Sequence, residues 1–219
     1  ESHTLWDLNL HVEEGKCTVL MGRNGVGKTT LLSCIMGLLP VKSGSAQFMG
    51  QSLFDFSAEK RASMGIGYVP QGRQIFPAMT VEENLLMGGF LLDKTADAKK
   101  AVDEIFSEYN RLNNRRNNKA SSLSGGERRL LEIARALIMN PKVLLVDEPS
   151  IGLEPRFINM VFEILQDLQR NQGKTIIMVE QNAKKGLEFC DIGYVIASGE
   201  LVLADYGNKL LENPEVGKL

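Results

Sequence analysis

The chain has 219 residues, of which 43% are hydrophobic and 24% are charged, as is usual for a globular fold with one substantial core. Its formal net charge of −2 lacks the basic excess of a nucleic-acid-binding surface, and no apolar run approaches the roughly 18 residues of a membrane-spanning helix. The cysteines at positions 17, 34 and 190 show no metal-binding or redox spacing. We therefore expect reduced thiols in a cytosolic protein.

Short apolar segments alternate with helical patterns along the chain. Four segments are short and rich in β-branched residues, which predicts buried, mostly parallel strands at 17–22, 66–70, 143–147 and 175–180. The apolar residues of "KTTLLSCIMGLL" and "GERRLLEIARALIMNP" recur at helical spacing. Residues 194–206 predict an antiparallel hairpin that turns at Ser198 and Gly199.

The strand pattern disappears between Gly72 and Asn118, where the sequence is polar and helical. This change predicts a single α/β domain over residues 1–219 that is interrupted by a helical lobe. We place the core at 1–71 and 141–219 and the lobe at about 72–140.

The segment "GRNGVGKTT" fits the phosphate-loop pattern Gly-x4-Gly-Lys-Ser/Thr and lies between a predicted strand and a predicted helix. Its glycines let backbone N–H groups surround phosphate oxygens, and the helix N-terminus adds a favourable dipole. Lys28 is placed to reach the β- and γ-phosphates, and the Thr29 hydroxyl to bind Mg²⁺. The alternative is a glycine-rich turn with an incidental lysine. The predicted nucleotide-binding residues are Gly22, Arg23, Asn24, Gly25, Val26, Gly27, Lys28, Thr29 and Thr30.

The segment "VLLVDEPS" ends a buried strand with two acidic residues. Because ligands bind at the carboxyl ends of parallel strands, Asp147 is predicted to serve Mg²⁺, partly through water. Glu148 lies one residue further and is a candidate to polarise an attacking water. The alternative is a solvated turn, since acidic pairs often end strands.

The segment "LSGGE" (123–127) resembles the signature sequence of ABC-type ATPases, with Glu127 where that family usually has glutamine. Ser124, Gly125 and Gly126 open a helix with free N–H groups and little side-chain bulk, which favours a second anion site. The resemblance implies that Ser124 to Glu127 bind the nucleotide of a facing subunit, so that two nucleotides are enclosed between two subunits.

Other motifs extend the resemblance over essentially the whole chain. Gln71 resembles the family's Q-loop glutamine, which implies contact with Mg²⁺ and the attacking water. "SIGLEP" (150–155) resembles the D-loop, with Glu154 in place of the usual aspartate. The family's base-stacking aromatic is expected before Glu1, and Trp6 is predicted to be a core residue.

Gln181 occupies the place where most ABC ATPases have a histidine that contacts the γ-phosphate. Its amide can donate a hydrogen bond to a phosphate oxygen but cannot take up a proton. The resemblance implies an asymmetric heterodimer with two unequal ATP sites, and a homodimer of the isolated chain is the alternative. The alternative for Gln181 itself is a polar residue at a strand end with no contact to nucleotide.

The segments "YVPQGRQIFPAMTVEENLLMGGF" and "MVEQNA" resemble one of the two ATPase subunits of branched-chain amino-acid importers. Within that group, "GRNGVGKTTLL", "PQGRQIFP" and "SIGLEP" favour the urea importer's ATPase. The resemblance implies an ABC-type P-loop core with an antiparallel β portion and an inserted helical lobe. It also implies ATP hydrolysis with Mg²⁺ on the cytoplasmic face of the inner membrane.

Implied partners are a second ATP-binding subunit, permease subunits and, indirectly, a solute-binding protein, but no nucleic acid. The expected catalytic residues are Glu148, Gln71 and Gln181, and the expected metal-binding residues are Thr29, Gln71 and Asp147.

Three other functions compete with transport. A nucleotide-gated binding module with weak hydrolysis is suggested by Glu127, Glu154 and Gln181, which all depart from the common family pattern. An ABC-type ATPase acting on DNA or ribosomes is disfavoured by the acidic net charge and by the single ATPase domain. A kinase that shares only the phosphate loop would not explain "LSGGE".

Overall fold

The computed structural model describes residues 5–72, 74–214 and 216. Its strands are β1 (Cys17–Met21), β2 (Gln47–Phe48), β3 (Gln51–Ser52), β4 (Ile66–Val69), β5 (Val143–Asp147), β6 (Thr175–Val179), β7 (Ile192–Ala197) and β8 (Glu200–Tyr206). The four strands predicted from β-branched segments are β1, β4, β5 and β6. They end within one residue of the predicted positions.

Helices lie in the connections between strands and in the long segment between β4 and β5. They are α1 (Lys28–Met36), α2 (Ala58–Ser63), α3 (Val81–Gly88), α4 (Thr95–Glu108), α5 (Asn110–Asn113), α6 (Gly125–Leu137), α7 (Pro155–Arg170), α8 (Ala183–Phe189) and α9 (Gly207–Leu211). Two short 3₁₀ turns lie at Leu53–Asp55 and Ala120–Ser122. The elements between β4 and β5 are helical, as the loss of strand pattern predicted. Within the described part of the chain, no helix is both long and apolar enough to cross a membrane.

A six-stranded sheet has the order β4-β5-β6-β1-β7-β8. Its first five strands run parallel, and β8 pairs antiparallel to β7. The predicted hairpin is confirmed, because β7 and β8 are joined at Ser198 and Gly199, which have positive φ angles of 52° and 86°. Two consecutive positive φ angles give the turn the twist that a two-residue hairpin requires. The short pair β2–β3 forms a second antiparallel unit.

Alternate side chains of the central strands enter different apolar clusters. In β5, Leu144 and Val146 belong to the larger cluster with α6 and α7, whereas Leu145 belongs to the cluster with α1. In β6, Met178 and Ile177 divide in the same way. A parallel sheet that is covered on both faces needs apolar residues at every position. This explains why the strands read as continuous apolar runs.

Two predictions about individual side chains are wrong. Trp6 remains 48% exposed, although its backbone N–H donates to the Gly199 carbonyl at the β7–β8 turn. Cys17 and Cys190 form a disulfide, whereas all three cysteines were expected to be thiols. The two cysteines are 173 positions apart, but β1 and β7 are neighbours in the sheet and bring them together. Such pairing depends on the topology and leaves no local spacing pattern.

Candidate functional site

Parallel pairing gathers the predicted site residues at one edge of the sheet. The phosphate loop follows β1, Gln71 follows β4, Glu148 follows β5 and Gln181 follows β6. Asp147 is the last residue of β5 and pairs in register with Val179 at the end of β6. The carboxyl ends of these strands therefore form one crevice, the usual place for a ligand of a parallel sheet.

The phosphate loop depends on backbone conformations that favour glycine. Gly22, Gly25 and Gly27 have φ angles of 148°, 83° and 103°. A Cβ on Gly22 would lie 2.2 Å from the Ile196 carbonyl oxygen, so this glycine lets the loop pass close to β7. At Gly25 a Cβ would meet no described atom within 4 Å. That position faces open space, where a ligand can approach the backbone.

The first turn of α1 offers free backbone donors and a buried cation. Gly27 is the N-cap and provides no side-chain hydrogen bond to the helix. The Lys28 ammonium, only 5% exposed, donates to the carbonyls of Gly22 (2.7 Å) and Arg23 (3.0 Å) and so spans the loop. Arg23, Asn24 and Thr29 are exposed, and Val26 and Thr30 are half-buried. These donors and this positive charge suit a polyphosphate.

Burial lowers the pKa of Lys28, while the carboxylates of Glu148, Asp147 and Glu180 oppose that shift. The lysine is thus a desolvated cation surrounded by three acidic groups. Each of these charges is expensive to bury alone, and their mutual attraction offsets part of that cost.

Asp147 is a fully buried carboxylate at the end of β5. Among the residues that the structure describes, neither of its carboxylate oxygens has a hydrogen-bond partner. Burial and the neighbouring Glu148 charge raise the pKa of Asp147, whereas the Arg129 and Lys28 charges oppose the rise. Two unsatisfied carboxylate oxygens beside a phosphate loop fit a hydrated divalent cation, which would supply the missing positive charge.

Glu148 is held by two amides in a strained backbone conformation. Its φ angle is 45°, a region that residues with a Cβ rarely adopt and that costs about 1 kcal/mol or more. Gln71 Nε2 donates to one carboxylate oxygen at 2.7 Å, and Gln181 Nε2 donates to the other at 2.8 Å. The Glu148 backbone N–H donates to the Val179 carbonyl. All three predicted catalytic residues therefore meet at one carboxylate.

Glu180 links the segment after β5 to the segment after β6, a role that sequence reasoning missed. One of its oxygens, Oε1, accepts hydrogen bonds from the Ser150 hydroxyl (2.9 Å) and from the backbone N–H groups of Gln181 (2.9 Å) and Asn182 (3.1 Å). Its side chain is buried beside the sheet. The Glu180 carboxylate thus holds the backbone of Gln181, from which the side-chain amide extends.

The "LSGGE" residues form the cap of α6. Ser124 and Glu127 make a reciprocal capping box, with the Glu127 carboxylate accepting from the Ser124 N–H at 2.8 Å. Burial raises the pKa of Glu127, but hydrogen bonds from Ser124 and the Arg115 charge outweigh this and lower the pKa overall. The Glu127 side chain is therefore committed to its own helix cap. The predicted contribution of Glu127 to a nucleotide would then come from its backbone.

The two glycines of this cap serve different purposes. A Cβ on Gly126 would lie 2.1 Å from the Phe157 ring of α7, so this glycine is required by packing within the chain. A Cβ on Gly125 would have Leu153 as its nearest contact at 3.8 Å. Gly125 is the more accessible of the two. Glu154 of the "SIGLEP" segment is the N-cap of α7 and pairs with Arg156 at the surface.

Sequence reasoning also missed the buried pair Arg129–Glu132 of α6, whose charged groups are 2.8 Å apart. The available signal was a pair of opposite charges at i and i+3 within an otherwise apolar stretch, "RLLEI". Solvated helix faces show the same spacing, so the pattern alone does not reveal burial.

The sequence profile of the ABC transporter family matches residues 5–151, which include the phosphate loop, Gln71, the signature segment and Glu148. The chain belongs to this family. It is an ATP-binding subunit of the ABC transporter type. It is 42% identical over 212 residues to the high-affinity branched-chain amino acid transport ATP-binding protein BraG of Pseudomonas aeruginosa, covering 97% of this chain and 90% of BraG. It is 36% identical to the probable branched-chain amino acid transport ATP-binding protein LivF of Archaeoglobus fulgidus, covering 100% of this chain and 92% of LivF.

Solved structures agree with this assignment. The ADP conformation of MJ1267, an ATP-binding cassette of an ABC transporter, superposes with a TM-score of 0.87 at 28% identity and covers 98% of this chain and 91% of MJ1267. The dimeric post-hydrolysis state of the cassette MJ0796, bound to ADP and Pi, gives a TM-score of 0.80 at 25% identity and covers 93% of this chain and 90% of MJ0796. The predicted α/β fold of an ABC ATPase is therefore confirmed.

Replacing Asp147 with asparagine should stabilise the nucleotide-free protein. Because the pKa of Asp147 is raised on folding, its contribution to stability is fully present below the ordinary carboxyl pKa and is lost as the pH rises through the raised value. We expect Asp147→Asn to raise the unfolding midpoint at neutral pH by about 2–4 °C, which corresponds to about 1 kcal/mol in a domain of this size. The gain should shrink as the pH falls below the ordinary carboxyl pKa, where the wild-type carboxyl is protonated in both the folded and the unfolded state.

Thermal unfolding of the Mg²⁺-free protein across this pH range measures the effect. The exposed Asp93→Asn variant is the matched control and should show no comparable gain. A midpoint that is lower for Asp147→Asn at every pH would contradict the proposed cost of the buried carboxylate.

Proposed function

We propose that this chain is the ATP-hydrolysing subunit of a bacterial ABC importer and acts at the cytoplasmic face of the inner membrane. The observation that carries the proposal is the Glu148 carboxylate, which is held between the amides of Gln71 and Gln181. A carboxylate held in this way at the carboxyl edge of the sheet is oriented to accept a proton from water.

The phosphate loop supplies the binding half of this activity. The N–H groups of the loop and of the first turn of α1 would bind the phosphates, and Lys28 would move from the carbonyls of Gly22 and Arg23 to phosphate oxygens. Thr29, Asp147 and Gln71 would hold Mg²⁺. When bound, this ion offsets charge on the transferred phosphoryl group.

The Gln71 and Gln181 amides have two uses in the proposed reaction. While they donate to Glu148, they keep its carboxylate oriented but occupy both of its oxygens. If either amide turns towards Mg²⁺ or a phosphate oxygen, one oxygen of Glu148 becomes available to a water molecule. The Glu148 carboxylate is then released to a water molecule only when bound nucleotide or Mg²⁺ competes for these amides.

The helical segment is proposed to act as a lobe of about residues 72–140 that meets the permease, within a single domain that spans residues 1–219. Four large apolar side chains of this segment are exposed, namely Phe76, Met87, Phe90 and Leu91. The Arg135 guanidinium of α6 lies 5.4 Å from the centre of the Phe76 ring. Exposed apolar groups of this kind are typical of a protein-binding surface, and they follow directly after the Gln71 segment.

A second ATP-binding subunit is proposed to face the α6 cap and complete each nucleotide site. The Ser124 cap leaves N–H groups at the start of α6 that suit a phosphate. Dimerisation is a property of the related cassette MJ0796. We propose a related subunit rather than an identical copy as the partner, because Gln181 replaces an ionisable histidine and would make the two sites unequal.

Branched-chain amino acids and urea are the proposed solutes. The similarity to BraG and LivF supports amino-acid transport. The segments "GRNGVGKTTLL" and "PQGRQIFP" favour urea. In this proposal the solute is selected by the permease and the solute-binding protein, since the described site is built for phosphate.

Replacing Glu148 with glutamine tests hydrolysis. The variant keeps the size of the side chain but removes the proton acceptor, so we expect steady-state ATP turnover to fall by about 10²-fold or more while ATP affinity persists. Phosphate release and equilibrium nucleotide binding are the measurements. Glu163→Gln, at an exposed position of α7, is the control and should match wild type. Equal turnover in wild type and Glu148→Gln would instead favour a nucleotide-gated binding module.

Introducing histidine at Gln181 tests the proposed asymmetry. Histidine can also donate to Glu148 and can in addition take up a proton, so we expect Gln181→His to keep or increase turnover. The comparison uses steady-state ATP turnover, with Gln51→His on the exposed strand β3 as the control. A turnover lowered by about 10-fold would show that the amide itself is required and would remove the argument for unequal sites.

The solute can be assigned with the complete importer. We expect the chain to co-purify with membrane permease subunits, and we expect either urea or a branched-chain amino acid to stimulate ATP turnover of the reconstituted complex. Uptake of both labelled solutes into proteoliposomes distinguishes them, and a complex with Glu148→Gln provides the background. A complex that transports neither solute would refute both assignments.

A further inference from the structure

Three charged side chains of α6 lie along the segment that carries Gln71. They are Arg129, Glu132 and Arg135, spaced three residues apart on one face of the helix. Arg129 is 5% exposed and Glu132 is 4% exposed, in a helix whose other buried side chains are apolar. Buried charges are costly unless ion pairs and hydrogen bonds satisfy them.

The Arg129 guanidinium contacts three different parts of the chain. It donates to the Glu132 carboxylate at 2.8 Å, to the Pro70 carbonyl at 3.2 Å and to the Asp147 carbonyl at 3.0 Å. A guanidinium has several donors in one rigid plane, so it can hold these acceptors in a fixed relation to one another.

The Glu132 carboxylate holds the other end of the same segment. Its second oxygen accepts from the Gln74 backbone N–H at 2.8 Å. Further along, Arg135 donates to the Gln74 carbonyl at 2.5 Å. Pro70 and Gln74 flank Gln71, and Asp147 directly precedes Glu148. One buried ion pair therefore fixes both ends of the Gln71 segment and the peptide that leads to Glu148.

The distance from Gln71 to Glu148 depends on this arrangement. Their hydrogen bond of 2.7 Å joins side chains that are 77 positions apart and that follow different strands. An apolar pair of similar volume at positions 129 and 132 could fill the same space without desolvated charge. It could not, however, satisfy the Pro70, Gln74 and Asp147 backbone groups.

We propose that Arg129 and Glu132 are positioning residues for ATP hydrolysis, which fix the Gln71 segment relative to Glu148. Because both residues belong to α6, which begins at the signature cap, a movement of this helix is transmitted to Gln71 and Glu148 together. This inference rests on the proposed hydrolytic function.

Replacing Glu132 with glutamine tests the positioning role. A glutamine carbonyl can accept from either Arg129 or the Gln74 N–H, but not from both in the present geometry. We expect kcat to fall by about 10-fold or more, with a much smaller change in the KM for ATP, because misplaced groups impair chemistry more than binding. Hydrogen exchange of the Gln74 amide should become faster in the nucleotide-free protein.

A second variant separates positioning from folding. Arg129→Met combined with Glu132→Leu removes both buried charges and keeps similar side-chain volumes, so we expect it to fold and retain ATP binding. It should nevertheless show the same loss of kcat. Glu104→Gln, at an exposed position that pairs with Lys100, is the matched control and should leave kcat and Gln74 exchange unchanged.

The outcomes distinguish this inference from the proposed function. Wild-type turnover above the Glu148→Gln background supports hydrolysis, and the ratio of wild type to Glu132→Gln then tests positioning. Wild-type kcat in the folded double variant, or unchanged Gln74 exchange in Glu132→Gln, would overturn the inference while the proposed function stands. Wild-type turnover at the Glu148→Gln background would overturn both.

Discussion

Parallel pairing of β4, β5, β6 and β1 sets the geometry of the crevice at the carboxyl edge of the sheet. Parallel strands all present their carboxyl ends at the same edge, so four segments that are distant in sequence follow these strands into one crevice. Asp147 pairs in register with Val179, which places the residues after both strands side by side. The contacts of Gln71 and Gln181 with Glu148 follow from this register.

The crevice concentrates charged and polar groups that are unfavourable in isolation. Asp147 is buried without hydrogen-bond partners among the described residues, Lys28 is desolvated, and Glu148 has a positive φ angle. Strain and unpaired charge of this kind typically gather where a ligand will complete the electrostatics. Apolar clusters cover both faces of the sheet, and their burial offsets the cost of these strained and unpaired groups.

Some predictions succeeded because they depended on local chemistry. The positive φ angles of Gly25 and Gly27 belong to a loop that the glycine spacing already indicated, and the Ser198–Gly199 turn followed from two residues that accept such angles. Others failed because they depended on distant contacts. Trp6 was assigned to the core from its hydrophobicity, yet the fold leaves it half-exposed. Sequence reasoning also could not show that the ring of Phe157 excludes a side chain at Gly126.

Sequence reasoning was sufficient for the α/β class, the phosphate loop, the acidic pair after β5 and the family resemblance, because each depends on contiguous residues with their own conformational preferences. Three features became evident only in the packed fold: two amides hold Glu148, Glu180 supports the Gln181 backbone, and Arg129 and Glu132 are buried together. The physical reason is that burial and hydrogen-bond partners are properties of packed surfaces. The sequence pattern of two charges three positions apart is the same on a solvated helix face and in a core. Their burial is therefore known only once the neighbouring strands and helices are placed.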